Sequence, residues 1–406
     1  MKAVAVMPAR RDVRVIDLEE PEIRRADQVK LRMLDVGICG TDREISTFAY
    51  GTPPAGADYL VIGHEALGEV QEVGRDVHDL TPGDLVVPTV RRPCSSADCR
   101  SCRAGHQDFC ETDGFTERGI KGAHGYLTAF AVDDARYMNR VPRDMREIGV
   151  LVEPLTIAEK AVRQLHGLMQ HRPPWIDPGL PEPAVGRGHR ALVLGAGPVG
   201  LLGAMMLRNA EFETFIYSRE EPPDPRVGIA TAIGATYVSS RELPTDRIAE
   251  QIGPIDLIYE AVGHSRLALE VLREMGANGI YVLTGVPSLQ TLIEADPAAI
   301  LRDIVLKNQV VLGTVNAGAE AFAAAIADLA TFDRRWPGAV RQLIDDRTPI
   351  DRAVERILDG PAGIKTVISL DRGAHPVTPP DPALAGRRIV GDEDSPSEPV
   401  DSAGGG

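Results

Sequence analysis

The sequence predicts an α/β protein in which a β-rich domain is followed by a doubly wound, parallel-sheet domain. The first 150 residues contain short apolar segments punctuated by turn residues, with few helical patterns, which is typical of all-β structure. From residue 191 onward, strand-like apolar segments alternate with helical ones. Strands separated by helical crossovers indicate a parallel sheet, so we expect the two halves of the chain to fold differently.

The first domain is expected at residues 1–160, and a predicted helix at 153–168 spans the boundary to the second domain. Turn residues separate its strand-like segments. The predicted strands are 2–7, 29–36, 67–73, 85–89 and 126–132. A proline-rich stretch at 172–190 follows the helix and is interpreted as a surface loop.

The second domain is expected at residues 161–310. Its predicted strands are 191–194, 212–218, 235–239, 255–260, 279–283 and 309–314. Residues 311–370 are expected to return to the first domain through helical segments around 320–329 and 338–344 and a last segment at 363–370. The tail at 371–406 is rich in Pro, Asp, Glu, Ser and Gly and is predicted to be disordered.

Composition narrows the class of protein. With 406 residues and 43% hydrophobic content, the chain can bury sizeable cores. A formal net charge of −15 and an aromatic content of 4% argue against a nucleic-acid partner, which requires a basic surface or stacking platforms. The longest apolar run, 191–207, is broken by four glycines and a proline, and the amino terminus lacks the apolar core of a secretory signal. We therefore expect a cytoplasmic protein with no membrane partner.

Four of the five cysteines, Cys94, Cys99, Cys102 and Cys110, lie within seventeen residues. Short loops between the ligands keep the closure entropy small, and four thiolates suit a tetrahedral Zn²⁺ ion. No ligand position remains open, so this lobe at 94–110 is predicted to hold a structural zinc and to bind no substrate. The alternative is two disulfides or four buried thiols, but nothing in the sequence indicates an oxidising compartment.

A second metal site is indicated by Cys39, His64 and Glu65. Cys39 follows an apolar strand, and the adjacent histidine and glutamate precede another. Taken singly, each has an ordinary structural interpretation as a buried thiol or as a core histidine with a paired glutamate. Together they supply a thiolate, an imidazole and a carboxylate, which suit a catalytic zinc that keeps a position for water or substrate.

A dinucleotide site is predicted where the first strand of the second domain turns into a helix. Gly195 permits the tight turn, Gly197 lets the backbone approach a pyrophosphate, and Gly200 lets helix and strand pack closely. Pro198 and Val199 begin the helix, whose amino end stabilises the anion. A purely structural glycine-rich turn is the alternative.

The end of the next strand bears on the choice between NADP and NAD. An acidic residue there binds the ribose 2′-hydroxyl and repels a 2′-phosphate, whereas this chain has Ser218 and Arg219. Arg219 can clamp a phosphate, so NADP is the predicted cofactor. Glu220 and Glu221 follow at once and could point inward, so the use of NAD as well stays open.

In this order along the chain, the motifs resemble the zinc-containing medium-chain alcohol dehydrogenase superfamily over residues 1–370. The motifs that carry the resemblance are Cys39-Gly40-Thr41-Asp42, Gly63-His64-Glu65-x2-Gly68, the four-cysteine lobe and Gly195-Ala196-Gly197-Pro198-Val199-Gly200. Within the superfamily the chain is similar to the glucose (aldose) 1-dehydrogenases. The motifs for this are Arg91-Arg92-Pro93, the segment 117–126, Glu153-Pro154-Leu155 and Gly313-Thr314-Val315-Asn316. The resemblance implies a GroES-like catalytic domain, a Rossmann cofactor domain and an active site in the cleft between them.

The resemblance also implies roles for individual residues. Glu153 completes the catalytic zinc site with Cys39 and His64, whereas Glu65 lies beside the metal and can exchange onto it. The residues implied to contact the sugar or the nicotinamide are Thr41, Glu117, Glu153 and Asn316. Further cofactor contacts are expected at Thr284, Gly285, Val286, Thr314 and Val315. His124 is a further candidate for the sugar site, and a loop histidine bonded to the backbone is its alternative.

Three departures set limits on the resemblance. The first gap in the cysteine lobe is four residues, rather than the two of the alcohol dehydrogenases. Glu44 stands where many of those enzymes have the histidine of a proton relay, so such a relay is not assumed. The turn at Ser218 to Glu220 lacks the second arginine of some NADP-specific relatives.

The predicted activity is oxidation of the C1 hydroxyl of an aldose, D-glucose or D-galactose, to the lactone, with hydride transfer to NADP or NAD. The alternatives are a polyol, threonine or aldehyde dehydrogenase of the same superfamily, or an NADP-binding redox sensor without turnover. The presence of both Cys39 and His64 argues against the sensor. The expected complement is two zinc ions per chain, one catalytic and one structural, a small-molecule sugar substrate, and a homo-oligomer, either a tetramer or a dimer.

Overall fold

The computed structural model describes residues 1–175, 185–287, 293–360 and 363–371. Apart from Asp371, the tail that is predicted to be disordered lies outside the described residues, as does the middle of the proline-rich loop. The described chain contains an antiparallel sheet system in its first half and a parallel sheet in its second. This arrangement confirms the predicted fold class.

The first half consists mainly of short strands. The strands are β1 (Lys2–Met7), β2 (Asp12–Asp17), β3 (Gln28–Gly37), β4 (Leu60–Val61), β5 (Glu65–Val73), β6 (Leu85–Pro88), β7 (Arg91–Arg92), β8 (Thr116–Arg118), β9 (Gly122–Ala123), β10 (Phe130–Asp134) and β11 (Met138–Val141). The helices are α1 (Gly40–Ser46), α2 (Arg100–Arg103) and α3 (Val152–Met169). The main sheet has the order β11-β6-β5-β3, and β10 also pairs with β3.

Four of the five strands expected in this half coincide with β1, β3, β5 and β6. The fifth, expected at 126–132, begins later as β10. The reason is local hydrogen bonding, because the amides of Tyr126 and Leu127 donate to the carbonyls of Gly63 and Ile62 at 2.8 and 3.0 Å. These bonds tie the segment to the chain just before His64, so the departure from strand geometry helps to fix the candidate metal site.

The second half is a parallel sheet with helical crossovers. Its strands are β12 (Arg190–Leu194), β13 (Glu213–Ser218), β14 (Thr236–Ser239), β15 (Ile255–Glu260), β16 (Met275–Leu283) and β17 (Val310–Gly313). Its helices are α4 (Pro198–Asn209), α5 (Pro225–Ala232), α6 (Ile248–Ile252), α7 (Ser265–Leu272) and α8 (Pro297–Leu306). The strand order is β14-β13-β12-β15-β16-β17. The order reverses between β12 and β15, which is the switch point where such sheets bind ligands.

The chain then returns to the first sheet. The returning elements are α9 (Ala319–Arg335), α10 (Pro337–Gln342), β18 (Ile344–Pro349), α11 (Ala353–Leu358) and β19 (Lys365–Ser369). β19 pairs antiparallel with β3 and parallel with β18. The domain boundaries expected at residues 160 and 310 stay predictions, and β17 pairs with β16 in the parallel sheet.

Helix α3 joins the two halves. It packs against α9 and α4. One continuous apolar core includes Leu34 and Leu67 of the first sheet, Leu155 of α3 and Val193 of β12. Because α3 begins with the candidate ligand Glu153, the same helix that joins the halves also positions part of the candidate site. None of the helices in the described part of the chain is long and apolar enough to span a membrane.

Candidate active site

The four lobe cysteines converge as their spacing predicts. One Sγ atom from each of Cys94, Cys99, Cys102 and Cys110 lies within 4.8 Å of all the others. The sulfur atoms of Cys99 and Cys110 are 4.0 Å apart, close to the edge of about 3.8 Å expected for a tetrahedron of Zn–S bonds. A disulfide requires about 2.0 Å, and all five cysteines are free thiols. The geometry therefore fits a closed zinc site and excludes the disulfide alternative.

A second donor group forms at the ends of two neighbouring strands. Cys39 lies just beyond β3 and caps the amino end of α1, and His64 and Glu65 lie at the start of β5. Because β3 and β5 are antiparallel, with Gly37 opposite Glu65, the end of one strand meets the start of the other. One donor atom from each of the three residues lies within 4.8 Å of the other two. A thiolate, an imidazole and a carboxylate at this separation fit a zinc ion with one position open.

Asp42 supports this donor group. It is fully buried, and its carboxylate accepts hydrogen bonds from the amides of Cys39 and Gly63 at 2.9 and 3.2 Å. Its Oδ1 also lies 3.5 Å from Nδ1 of His64. A carboxylate on the outer nitrogen of a histidine directs the other ring nitrogen toward a metal. Sequence reasoning missed this role, although an aspartate three residues after a helix cap was a usable signal.

The charges around His64 and Asp42 support this orientation. Burial alone would lower the pKa of His64, but the Asp42 carboxylate outweighs burial and raises this pKa well above its ordinary value. For Asp42, burial would raise the pKa, and the neighbouring His64 helps to hold it below the ordinary value instead. The pair therefore favours an aspartate that stays ionised beside the imidazole ring.

Lys365 is a second residue that the motifs did not reveal. It lies on β19, is 2% exposed, forms an ion pair with Oε2 of Glu65 and donates to the carbonyl of Ile38 at 3.1 Å. Burial would lower the pKa of Lys365, but Glu65 raises it above its ordinary value. Glu65 therefore has a buried cationic partner, which holds it beside the metal position.

Glu153 and Thr41 lie around this donor group. Glu153 is buried at the start of α3. Burial raises the pKa of Glu153 to about 7, and the neighbouring Glu65 carboxylate adds to this rise, although His64 opposes it. In the described residues its carboxylate lies outside the group of mutually close donors. The hydroxyl oxygen of Thr41 is 3.8 Å from Sγ of Cys39. Thr41 therefore lies close to the donor group, and the ligand role of Glu153 stays a prediction.

Glu117 and Asn316 come from opposite halves of the chain and meet directly. The side-chain amide of Asn316 donates to Oε1 of Glu117 at 2.9 Å. Arg91 donates to the same oxygen through Nε and Nη2 at 3.0 and 2.9 Å. Glu117 is thus held in a buried, charge-assisted pair. Arg91 was part of a sequence motif, but its partner could not be deduced from the sequence.

His124 adopts the geometry of its structural alternative. Its Nδ1 accepts a hydrogen bond from the amide of Val61 at 3.2 Å, and its ring stacks on Tyr59 with centroids 4.8 Å apart. Burial and the cation of Arg118 lower its pKa. These contacts describe a neutral histidine that holds a loop, and they provide no argument for sugar contact.

The glycine-rich turn has the backbone geometry that a pyrophosphate site requires. Gly195 has φ +94° directly after β12, a conformation that favours glycine. A Cβ at Gly200 would lie 2.1 Å from the carbonyl oxygen of Gly195, so only glycine allows α4 to approach β12 this closely. Gly197 caps α4, and Pro198 and Val199 form its first turn, so the helix amino end faces the turn.

The residues at the end of β13 and just after it bear on the choice between NADP and NAD, and they do not all favour the same cofactor. Ser218 accepts a hydrogen bond from the amide of Ala196 at 3.2 Å and donates to Oε2 of Glu220 at 2.6 Å. The Arg219 side chain is 83% exposed, with its Nε 3.6 Å from Oε1 of Glu220. Glu220 therefore folds back toward the glycine-rich turn while Arg219 remains available to an incoming phosphate.

The remaining expected cofactor contacts line one cavity. This cavity of about 650 Å³ lies beside Glu260, Leu283 and Gly313, at the carboxyl ends of β15, β16 and β17. Its lining includes the predicted contacts Thr284, Gly285, Val286, Thr314 and Val315. Phe109 and Lys160, from the first 175 residues, complete one wall. The cavity thus lies where the cysteine lobe and α3 meet the parallel sheet.

Comparison with known proteins agrees with this architecture. Residues 146–370 match the family model described as glucose dehydrogenase C-terminus, and residues 25–143 match the GroES-like domain of alcohol dehydrogenases. A glucose 1-dehydrogenase of Methanocella arvoryzae is 38% identical over 371 residues, covering 91% of this chain and 99% of the relative.

The chain belongs to the glucose dehydrogenase family of zinc-containing medium-chain dehydrogenases.

A solved member of this glucose dehydrogenase family, from Haloferax mediterranei, superimposes with a TM-score of 0.80 at 34% identity, covering 91% of this chain and 99% of the other. That protein was determined in complex with NADP, Zn and gluconolactone. Galactitol-1-phosphate dehydrogenase from Escherichia coli has a TM-score of 0.73 at 22% identity, which shows the shared fold alone.

Proposed function

We propose that this glucose dehydrogenase family member oxidises the C1 hydroxyl of an aldose, D-glucose or D-galactose, to the lactone, with hydride transfer to NADP or NAD. The observation that carries the proposal is the hydrogen bond from Asn316 to Glu117. It joins the two halves of the chain next to Val315, which lines the cavity, and it fixes a set of polar atoms. A pocket built to bond hydroxyls rejects compounds that lack them. The NADP, Zn and gluconolactone of the Haloferax mediterranei relative support the same reaction.

Cys39, His64 and Glu153 would hold the catalytic zinc, with Glu65 beside the metal and able to exchange onto it. The four lobe cysteines would hold the structural zinc. When bound at the open site, zinc supplies Lewis-acid stabilisation of negative charge on a substrate oxygen. The chain's own contribution is orientation, since Asp42 fixes the imidazole of His64.

The sugar-binding roles of Thr41, Glu117, Glu153 and Asn316 stay proposals. Their support is geometric, because Thr41 lies next to Cys39 and Glu117 is rigidly held by Arg91 and Asn316. A fixed carboxylate has already lost its side-chain entropy, so a sugar hydroxyl can bond it without ordering it first.

The cofactor proposal can be tested at two adjacent residues. Arg219→Ala should raise the KM for NADP far more than for NAD, because a charge-assisted bond to the 2′-phosphate is worth about 1.5–3 kcal/mol. Glu220→Arg should shift the preference toward NADP, since it removes a carboxylate that folds back beside Ser218. Equal changes for both cofactors would show that Arg219 is an ordinary surface arginine.

We also infer a homo-oligomer, a dimer or tetramer, in the cytoplasm. β17 is the last strand of the parallel sheet, and its Val311 is 41% exposed. Three apolar residues of the neighbouring helix α8, Leu301, Val305 and Leu306, are more than 60% exposed, and exposed apolar patches mark interfaces. The free state of all five cysteines supports a reducing compartment. Light scattering after size exclusion tests the oligomer, and a monomer at micromolar concentration would refute it.

A substrate panel decides the activity. Glucose, galactose, xylose, sorbitol and simple alcohols should be assayed with NADP and NAD after zinc reconstitution. We expect the highest kcat/KM with an aldose. A preference for sorbitol, threonine or an aldehyde would assign one of the alternative dehydrogenase activities, and binding of NADP without any turnover would favour the redox sensor.

A further inference from the structure

A buried ring of hydrogen bonds connects the cysteine lobe to the sugar and cofactor cleft. It runs through six residues, each bonded to the next: Asp108, Arg91, Glu117, Asn316, Val315 and Lys160. Asn316 and Val315 are joined by the chain itself. The ring thus includes three residues with proposed substrate or cofactor contacts, Glu117, Asn316 and Val315. It also contains two ionic pairs, Arg91 with Glu117 and Lys160 with Asp108.

Lys160 holds three parts of the fold at once. It lies on α3 with only 6% of its surface exposed, and its Nζ is 2.9 Å from Oδ2 of Asp108. The same Nζ donates to the carbonyl oxygen of Val315 at 3.0 Å and lies 4.0 Å from the centroid of the Phe109 ring. A buried ammonium with three such partners is fixed in position, and removing it leaves buried acceptors without a donor.

Asp108 anchors the ring in the lobe. It lies two residues before the candidate zinc ligand Cys110, and its backbone carbonyl accepts from Arg91 Nη1 at 3.3 Å. Its Oδ1 would lie 2.9 Å from a Cβ at Gly318, the residue that caps the amino end of α9. The lobe therefore lies against Gly318 at one end of the segment 314–318, and Asp108 is linked through Lys160 to Val315 near the other end. This segment presents Asn316 to Glu117.

We propose that Lys160, together with Asp108, is a positioning residue that holds the segment 314–318 in place, so that the cysteine lobe anchors the sugar site as well as its own fold. Asn316 has φ +57°, a conformation that a polar residue adopts when its surroundings hold it there. The tie from Lys160 to the preceding carbonyl supplies such a constraint. The expected effect on glucose oxidation rests on the proposed function, whereas the expected effect on the segment 314–318 does not.

The test compares three variants of the zinc-loaded, full-length enzyme. Lys160→Met removes the ammonium and keeps the aliphatic length. Gly318→Ala changes none of the ring residues but places a methyl group against Asp108. Arg163→Met is the matched control, because Arg163 also joins α3 to the start of α9, through Glu320, but both side chains are more than half exposed. The readouts are KM and kcat for glucose, the melting temperature, and amide hydrogen exchange in a peptide that covers 313–320.

Lys160→Met should raise the KM for glucose about tenfold with a smaller change in kcat, and should speed exchange in 313–320 about tenfold. Gly318→Ala should act in the same direction but more weakly, and it carries the test if Lys160→Met does not fold. Arg163→Met should change neither quantity. A lower melting temperature with unchanged KM and unchanged exchange would mean that Lys160 only stabilises the fold, and the proposal would be overturned.

Failure of the proposed function gives a different result. A wild-type enzyme that does not oxidise glucose refutes the aldose assignment, whereas the exchange measurement still decides whether Lys160 holds the segment. Faster exchange in Lys160→Met, with the control unchanged, then supports the positioning role. Unchanged exchange overturns it, whatever the substrate.

Discussion

The two candidate metal sites differ in how the chain assembles them. The lobe draws all four of its ligands from residues 94–110, so a local turn pattern brings the sulfur atoms together. The site at Cys39, His64 and Glu65 joins the end of β3 to the start of β5 and depends on Lys365 of β19. Local spacing suffices to build a closed site, whereas an open one needs a surrounding tertiary structure to support its ligands.

The surroundings of the two sites differ as well. His64, Glu65, Asp42 and Lys365 are all at most 5% exposed, so the open site is a buried cluster of charges that balance one another. Among the lobe cysteines only Cys99 is fully buried. Buried charges are costly unless they are paired, and this cost makes the open site sensitive to changes at a distance.

The largest effect should come from the metal ligands themselves. Cys39→Ser should lower kcat/KM by at least ~10³-fold, since Lewis-acid stabilisation is worth several kcal/mol. Metal analysis should then find one zinc per chain rather than two. Cys99→Ser is the matched change in the lobe, and it should lower the melting temperature while the zinc at Cys39 is kept.

A mild chelator should separate the sites without any mutation, because the open site exchanges its ion more easily than the closed one. Activity should disappear with the first ion lost, while the fold survives. One zinc per chain in fully active protein would contradict the two-site description.

The next largest effect should appear at Lys365. In protein freed of its catalytic zinc, Lys365→Met leaves Glu65 buried without a cation, which should destabilise the protein by about 3 kcal/mol or more. Glu65→Gln combined with Lys365→Met should recover most of this loss, because the unpaired charge is then gone. Arg352→Met, which breaks an exposed pair with Glu355, is the control. A melting temperature lowered by less than about 2 °C for Lys365→Met would show that Glu65 does not depend on it.

Glu117 tests whether the cleft selects for a sugar. Glu117→Ala should lower kcat/KM for glucose about 30-fold, equivalent to about 2 kcal/mol, because a sugar hydroxyl loses its charged acceptor. The loss on a short aliphatic alcohol should be much smaller, and zinc content should stay the same. Equal losses on both substrates would indicate that Glu117 supports the structure around Arg91 rather than the sugar.

The last prediction is a pH dependence of stability, and it concerns α3 away from its metal-facing end. Burial and the adjacent Asp328 carboxylate raise the pKa of Glu159 from 4.5 to about 8. The folded state therefore keeps a proton that the unfolded state releases, so stability should fall as the pH rises from about 4.5 to about 8. The slope should be at most ~1.4 kcal/mol per pH unit.

Urea unfolding between pH 5 and pH 8 measures this slope, and Glu159→Gln should flatten it. Glu355→Gln is the control, because Arg352 lowers the pKa of Glu355 and this residue does not titrate in that range. An unchanged slope in Glu159→Gln would place the pH dependence elsewhere.

The features that depend on local geometry could be predicted from the amino-acid sequence alone. The spacing of Cys94 to Cys110 predicted the lobe, because short loops can close on one ion only if the ligands are near neighbours. The turn at Gly195 was predictable because a positive φ and a close helix require glycine. Cys39, His64 and Glu65 were recognisable because each stands beside a strand, and the parallel sheet followed from the alternation of strands and helices.

Only the tertiary structure decided which distant residues pair. Lys365 meets Glu65 because β19 joins the sheet beside β3, and Lys160 meets Asp108 because α3 packs under the lobe. Arg91, Glu117 and Asn316 converge from three separate segments. The physical reason is that a buried charge needs a partner of opposite sign or a hydrogen bond, but many residues in the chain could supply one. Sheet register and helix packing select among them, and neither is encoded in the spacing of a short motif.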